Sequence, residues 1–279
     1  MSGTAERSRH ARLWAVVGAT VVLVVLFPFY WMLLTALRAE TSVFTYPPNL
    51  WPTDLAPHLL FQVFGKTQVL RWLANTFIVA GVATLLVVPV ATLAAYALSR
   101  YRNRRVSYAA LLIVVTQMMP PVLLLVPYFI IFRNLGLLDG LLGLILANFA
   151  WTLPVTAWLM RAAFDAVPSE LEEAALVDGC TRLGAIVRIA VPLAVPGLVA
   201  AAVFAFIASW DEYFFARTLI SDNRYWVASV GLGSFAGDNS VSWQQIMAVA
   251  FFTTLPPVVL FIFVQRAFVE NMSAGGLKG

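Results

Sequence analysis

Charge is what this chain has least of. Only 11% of its 279 residues are Asp, Glu, Lys or Arg, against about 25% in an ordinary soluble domain. A single cysteine, Cys180, excludes an internal disulfide and any multi-cysteine metal centre. The two histidines, His10 and His58, leave no histidine cluster for a metal or an acid–base pair. The sequence contains no H-E-x-x-H and no G-x-S-x-G, so neither a zinc hydrolase nor a serine hydrolase is signalled. It also lacks G-x-x-x-x-G-K-[ST], the loop that cradles nucleotide phosphates. Lysine is nearly absent, with only Lys66 and Lys278. The net charge of +4 is too small and too scattered for a nucleic-acid binder. The chain has instead an excess of apolar residues: 61% are hydrophobic and the mean hydropathy is +0.84. This excludes a soluble enzyme, a disordered chain and a coiled coil, and leaves an integral membrane protein.

Charge spacing gives the architecture. A charge at the bilayer centre costs at least about 2.5 kcal/mol, and a helix needs about 20 residues to cross the hydrocarbon core. Six charge-free runs reach that length: Leu13–Leu37, Trp72–Ser99, Val106–Phe132, Gly140–Met160, Ile189–Trp210 and Asn239–Gln265. The expected fold is therefore all-α, a polytopic membrane helix bundle of six transmembrane helices. The first run is too long for the core of a signal peptide, and no A-x-A cleavage site follows it. Pro192 and Pro196 disfavour a helix interior, so the fifth helix is expected to start near Pro196 and run to about Leu219. Of the 18 basic residues, twelve fall on the N-terminal side of the membrane and six on the other. The tight group Arg100, Arg102, Arg104 and Arg105 weighs most. Positive residues collect on the cytoplasmic side, which places both termini there. The expected division is a cytoplasmic N-terminus over 1–12, a membrane domain over 13–267 and a cytoplasmic tail over 268–279.

The spans carry polar chemistry. Asn75, Gln117, Asn148 and Gln265 are amides within or at the ends of the runs, and Pro28, Pro89, Pro120, Pro121, Pro127, Pro154, Pro256 and Pro257 interrupt them. Prolines free backbone carbonyls that neighbouring helices or a water-filled cavity must satisfy. Met118 and Met119 add deformable surface beside Pro120. Two readings apply to each amide: a bond between helices, which is the commoner use, or a place on a polar pathway. The same holds for Trp151, Trp158 and Trp210, which suit stacking on sugar faces but also suit the membrane interface.

The segment 165–192 is the longest charged stretch on the basic side. Ser169 with Glu172 three residues on forms a capping-box pattern, and Glu170, Glu172 and Glu173 fall in the first turn, where the helix dipole favours anions. Gly179 suits a left-handed helix end. Leu183, Ile186, Val187 and Ala190 then fall on one face of a second helix, which Pro192 is expected to stop. Physics alone reads this as a docking surface or an interfacial linker.

The spacing is more specific. Glu173-Ala174-Ala175, three residues, Gly179, nine residues, Ile189, one residue, then Val191-Pro192 resembles the EAA loop of ABC importer permeases, with Val191 in place of the usual leucine. Further stretches agree: Asn75-Thr76, Ala94–Arg100, Thr116–Pro120, Leu135–Leu138, Leu153-Pro154, Pro196-Gly197, Trp210-Asp211-Glu212 and the ending Gly276–Gly279. The chain is similar to the shorter six-helix permease of carbohydrate-uptake importers of the maltose-transporter type. It departs from that pattern at Asp211, where the family commonly has asparagine, and at Glu270–Met272, where glycine is more frequent.

The resemblance implies a permease subunit that performs no covalent chemistry and binds no cofactor or metal. ATP and Mg would be held by two cytoplasmic ATPase subunits. The other implied partners are a second homologous permease, an extracytoplasmic solute-binding protein and a sugar or polyol. Coupling to the ATPases is expected of Glu172, Glu173, Ala174, Ala175, Asp178, Gly179, Ile189 and Pro192, and tail contacts of Gly275, Gly276 and Lys278. Substrate-pathway residues are expected among Asn75, Gln117, Met118, Asn148, Trp151, Trp210, Asp211 and Glu212. The rival reading, a transporter driven by an ion gradient, would want ionisable residues at mid-membrane, and the six runs hold none.

Overall fold

The computed structural model describes residues 2–51, 54–101, 103–235 and 242–275. Their regular structure is all helical, joined by turns, with no strand among the described residues. In chain order the helices are α1 (Ser2–Ala36), α2 (Glu40–Val43), α3 (Pro57–Lys66), α4 (Val69–Arg100), α5 (Arg104–Met118), α6 (Pro121–Asn134), α7 (Leu141–Asp165), α8 (Ser169–Val177), α9 (Arg182–Ala185), α10 (Val191–Trp210), α11 (Phe214–Leu219), α12 (Ala228–Ser234) and α13 (Trp243–Gly275). Five stretches are long and apolar enough to cross a membrane: Leu13–Ala36, Val69–Arg100, Leu141–Asp165, Arg182–Trp210 and Trp243–Gln265. A sixth is broken, with α5 and α6 meeting at 102°.

Two of the expected spans differ from the sequence reading. The run Val106–Phe132 is two helices, not one. Pro120 and Pro121 lack amide hydrogens, and the residue before a proline is driven out of the helical region. Met119 accordingly takes φ −81° and ψ 123°, and Pro121 opens α6 at its first position, where its missing donor costs nothing. The fifth span does not begin at Pro196. It runs unbroken from Arg182, through one π-helical turn over Ile186–Ala190, into α10 with Pro196 inside it. The wide turn lets the amide of Val191 reach back to the carbonyl of Ile186, which accommodates the break that Pro192 makes in the ordinary ladder. The helix then ends at Trp210, and the stretch to Leu219 is the separate helix α11.

The chain divides into two compact units. The first comprises Met1–Val69 with Ser234–Thr254. Arg38, only 4% exposed, donates to the carbonyls of Asn49 and Trp51 at 2.8 Å each and pairs with Asp54. Glu40 accepts from Ser242 Oγ and from the amides of Trp243 and Gln244. It thereby caps the first turn of α13, where free donors and the helix dipole both favour a carboxylate. Gln244 donates to the carbonyls of Ala36 and Leu59, and Phe64 packs on Phe252 at 4.6 Å between ring centres.

The second unit comprises Leu70–Gly233 with Leu255–Gly279. Its centre is α4, α7 and α10. The pairs Thr92–Met160, Tyr96–Phe164 and Ser99–Asp165 set α4 parallel to α7. Small residues line the seams: Ala83, Ala91 and Ala95 on α4, Ala157 on α7, and Ala194, Ala201 and Ala205 on α10 are all buried. Apolar burial gives little net drive between helices in lipid, so association relies on such close packing. A second cluster joins Val79, Phe132, Leu144, Phe215 and Leu219.

Candidate functional site

The 165–192 segment is built on one cap. Asp178 ends α8, and Gly179 follows with φ +88°, a conformation that costs L-residues with a side chain about 1–2 kcal/mol. The amide of Cys180 reaches the carbonyl of Ala175 at 2.9 Å and that of Gly179 reaches Leu176 at 3.1 Å, the full Schellman pattern. Thr181 then caps α9 by accepting from the amide of Gly184 at 3.1 Å. The expected glycine turn between two helices is present, but Pro192 does not stop the second helix, which runs on into α10.

The expected capping box is not. Pro168 occupies the cap position and Ser169 is already inside the helix, with no side-chain cap. Glu172 is released from that role and turns inward. It is 6% exposed, and Arg100 Nε donates to its Oε1 at 2.8 Å while Tyr96 Oη donates to its Oε2 at 2.6 Å. Arg100 Nη2 also stands 2.7 Å from Oε1 and donates to the carbonyl of Val167 at 2.9 Å. Ser99 donates to Asp165 at 2.6 Å, and Arg161 lies 3.4 Å from the same carboxylate. Glu173, Ala174, Asp178 and Gly179 face outward, so α8 has a bonded inner edge and a free outer ridge. Ile189 is half-buried and Pro192 exposed. A cleft of about 620 Å³ opens beside this junction, lined by Ser99, Arg161, Asp165 and Glu170 among others.

Tyr96 and Arg100 are the residues of this junction to which the sequence reading assigned no part in coupling. A signal existed: Tyr96, Ser99 and Arg100 stand at i, i+3 and i+4, so they share one face of the last turn of α4.

The expected pathway residues are not gathered at one place. Asn75 donates to the carbonyls of Arg224 at 3.0 Å and Trp226 at 2.8 Å, and Thr76 Oγ1 accepts from the amide of Ala228 at 2.8 Å. These two residues bind helix to loop. Asn148 is fully buried and donates to the carbonyl of Leu144 in its own helix, while its Oδ1 has no partner among the described residues. Gln117 and Met118 border an apolar pocket of about 360 Å³ with Ile113, Val114, Val155 and Trp158. Trp151 packs on Phe215, and Trp210 is buried against Phe77 and Phe206, so its ring faces are occupied by protein.

Asp211 and Glu212 diverge. Glu212 accepts from the amides of Phe215 at 2.6 Å and Ala216 at 2.9 Å, which makes it the cap of α11, and burial raises its carboxyl above the ordinary glutamate value despite those bonds. Asp211 is exposed, though desolvation still raises its carboxyl. Gly275 is the last residue of α13. Gly276 and Lys278 lie outside the described residues. No group of three metal-binding side chains occurs among the described residues.

Comparison with known proteins agrees with this geometry. Residues 87–274 match the family model described as binding-protein-dependent transport system inner membrane component. The chain is 35% identical, over 94% of its length and 93% of the relative's, to the sulfoquinovosyl glycerol transport system permease protein SmoH of Agrobacterium fabrum. It is 29% identical, over 96% and 97%, to the trehalose/maltose transport system permease protein MalG of Thermococcus litoralis. A chain in the crystal structure of a bacterial ABC transporter that imports the acidic polysaccharide alginate superposes with a TM-score of 0.73, at 23% identity, over 92% of this chain and 97% of that one. With a family match that contains the whole of α8, its glycine cap and four of the membrane-crossing stretches entire, the chain belongs to the inner-membrane components of binding-protein-dependent transport systems.

Proposed function

We propose that this chain is one of two permease subunits of an ATP-driven importer and forms half of the path for a sugar or related polyol. The observation that carries this reading is the ridge of α8: Glu173 and Ala174 exposed on one edge while the Schellman turn at Gly179 fixes the helix end. Two ATPase subunits on the cytoplasmic side bind ATP with Mg and engage that ridge. A solute-binding protein delivers the sugar on the opposite side, and both termini of this chain are cytoplasmic. The sugar class rests on relatives whose names specify sulfoquinovosyl glycerol and trehalose/maltose.

This chain's own work is positional. ATP-driven closure of the ATPases moves α8, and the helices alternate access around the pathway. The tail, with Gly275, Gly276 and Lys278, reaches the ATPases and assists coupling without supplying the main dock.

The test is purification of the permease pair with its ATPases and solute-binding protein in vesicles, with a panel of sugars and polyols scored for stimulated ATP hydrolysis and uptake. Stimulation by one sugar class supports the reading, and none across the panel overturns it. Removal of Gly275–Gly279 is expected to leave the complex assembled and to lower uptake per ATP hydrolysed.

A further inference from the structure

Helix α4 has polar attachments at both ends and an alanine seam between them. At one end, both carboxylate oxygens of Glu172 are held by α4, through Tyr96 and Arg100, and Arg100 also holds the carbonyl of Val167 just before α8. Among the described residues, the side-chain hydrogen bonds of α8 run to α4 alone. The bonds to Glu172 are short, charge-assisted and nearly out of solvent, the setting in which such contacts are strongest. At the other end, Asn75 holds the carbonyls of Arg224 and Trp226, and Thr76 holds the amide of Ala228. Asn75 and Arg100 stand about 37 Å apart at 1.5 Å of rise per residue, so one helix ties the α8 loop to the 224–228 segment across the membrane. Buried Ala83, Ala91 and Ala95 between them present a smooth face, against which a packed helix can shift without unlocking large side chains.

We propose that α4 is the transmission strut of this subunit: Glu172 is a positioning residue that engages α4 rather than the ATPases, and displacement of α8 reaches the 224–228 segment through Arg100 and Asn75. The proposal rests on the importer reading above. Movement of α8 by a partner on its outer ridge loads the Glu172 bonds directly. Because α4 remains one helix from Val69 to Arg100 even with Pro89 inside it, its far end shifts with its near end, and the carbonyls held by Asn75 follow. Coupling of this kind is a free energy shared between two places, so the two attachments form a series: once one is cut, cutting the other adds nothing.

The test uses the complete complex in vesicles and reads sugar uptake per ATP hydrolysed. The unchanged complex comes first: if it shows no sugar-stimulated hydrolysis, the importer reading fails and not the strut. With that activity present, Arg100→Met is expected to retain basal hydrolysis and to lower uptake per ATP about tenfold, a coupling energy in the usual range. Asn75→Leu is expected to do the same, and the double variant to be no worse than either single one. Sites this far apart ordinarily act additively, so multiplied losses in the double variant overturn the strut, as does full coupling in Arg100→Met. If Arg100→Met does not assemble, the exchange Arg100→Glu with Glu172→Arg decides: recovered coupling above that of Glu172→Arg alone supports the strut, and no recovery overturns it.

Discussion

Gly197 of α10 lies against Ala163 of α7 so closely that a Cβ built on the glycine falls inside the alanine's methyl group. The crossing of these helices depends on the missing side chain. Gly197→Val is therefore expected to force the helices apart at a cost of about 1–3 kcal/mol, the usual range for overpacking a core. Thermal unfolding of the detergent-solubilised subunit checks this. Gly81→Ala serves as the control, because a Cβ there meets nothing within 4 Å, and the helix interior gains about 0.5–1 kcal/mol from the change.

Gly179 offers a different kind of sensitivity. A Cβ at that position also meets nothing within 4 Å, but the backbone holds φ at +88°. Gly179→Leu is expected to cost about 1–2 kcal/mol in backbone strain and to displace Glu173 from its ridge. Sugar uptake by the complex should fall while membrane insertion continues. Gly179→Asn should lose less, since asparagine tolerates the left-handed region. Equal uptake in the leucine variant and the unchanged chain would refute this.

Glu212 sets a pH dependence. Burial raises its carboxyl above the ordinary value, so the folded state binds this proton more tightly than the unfolded chain. The stabilisation from this group is complete below the ordinary glutamate range and is lost as pH rises through the raised value. Thermal midpoints of the unchanged protein should fall from acidic toward neutral pH, and Glu212→Gln, which keeps an acceptor for the α11 amides, should flatten that fall. Glu212→Ala should also flatten the fall and should lose about 1 kcal/mol at acidic pH, as a helix without its cap does.

Asp211 and Glu212 also separate in transport. Asp211 is exposed, whereas the Glu212 carboxylate is occupied by the amides of Phe215 and Ala216. Asp211→Asn is expected to weaken uptake only at low concentrations of the solute-binding protein, as loss of an exposed docking charge would. Glu212→Gln should leave that concentration dependence unchanged. The same dependence in both variants would return the two acids to a shared role.

Asp139 stands at φ +52°, and its Oδ1 accepts from the amides of Ser221 and Asp222. Asp139→Ala keeps the strained backbone and loses two solvent-exposed hydrogen bonds, which should cost about 1 kcal/mol. Asp139→Asn retains both the acceptor and the tolerance for positive φ and should stay close to the unchanged protein in a thermal unfolding comparison.

Much of this was legible without coordinates. Charge is expelled from hydrocarbon residue by residue, so the spacing of Arg and Asp marks the membrane-crossing stretches by itself. The Glu173–Pro192 spacing marks the loop in the same way, because a glycine helix end needs only its own residue type. Helix ends near prolines were less legible. Met119 obeys the local rule and breaks the third span, while Pro192 follows a π-turn over Ile186–Ala190 and Pro196 sits inside α10, so neither proline ends the helix.

The roles of single polar residues belong to the tertiary structure. Ser169 and Glu172 have the pattern of a capping box, yet Glu172 is claimed by Arg100 and Tyr96, 72 and 76 residues away. Asn75 and Trp210 have the composition of a pathway, yet one holds loop carbonyls and the other is walled in by phenylalanines. Where a helix lies in the chain depends on the solvent each residue prefers, which is a property of the residue. Which partner a side chain bonds depends on what the fold brings within 3 Å of it, and that is settled only when distant helices pack.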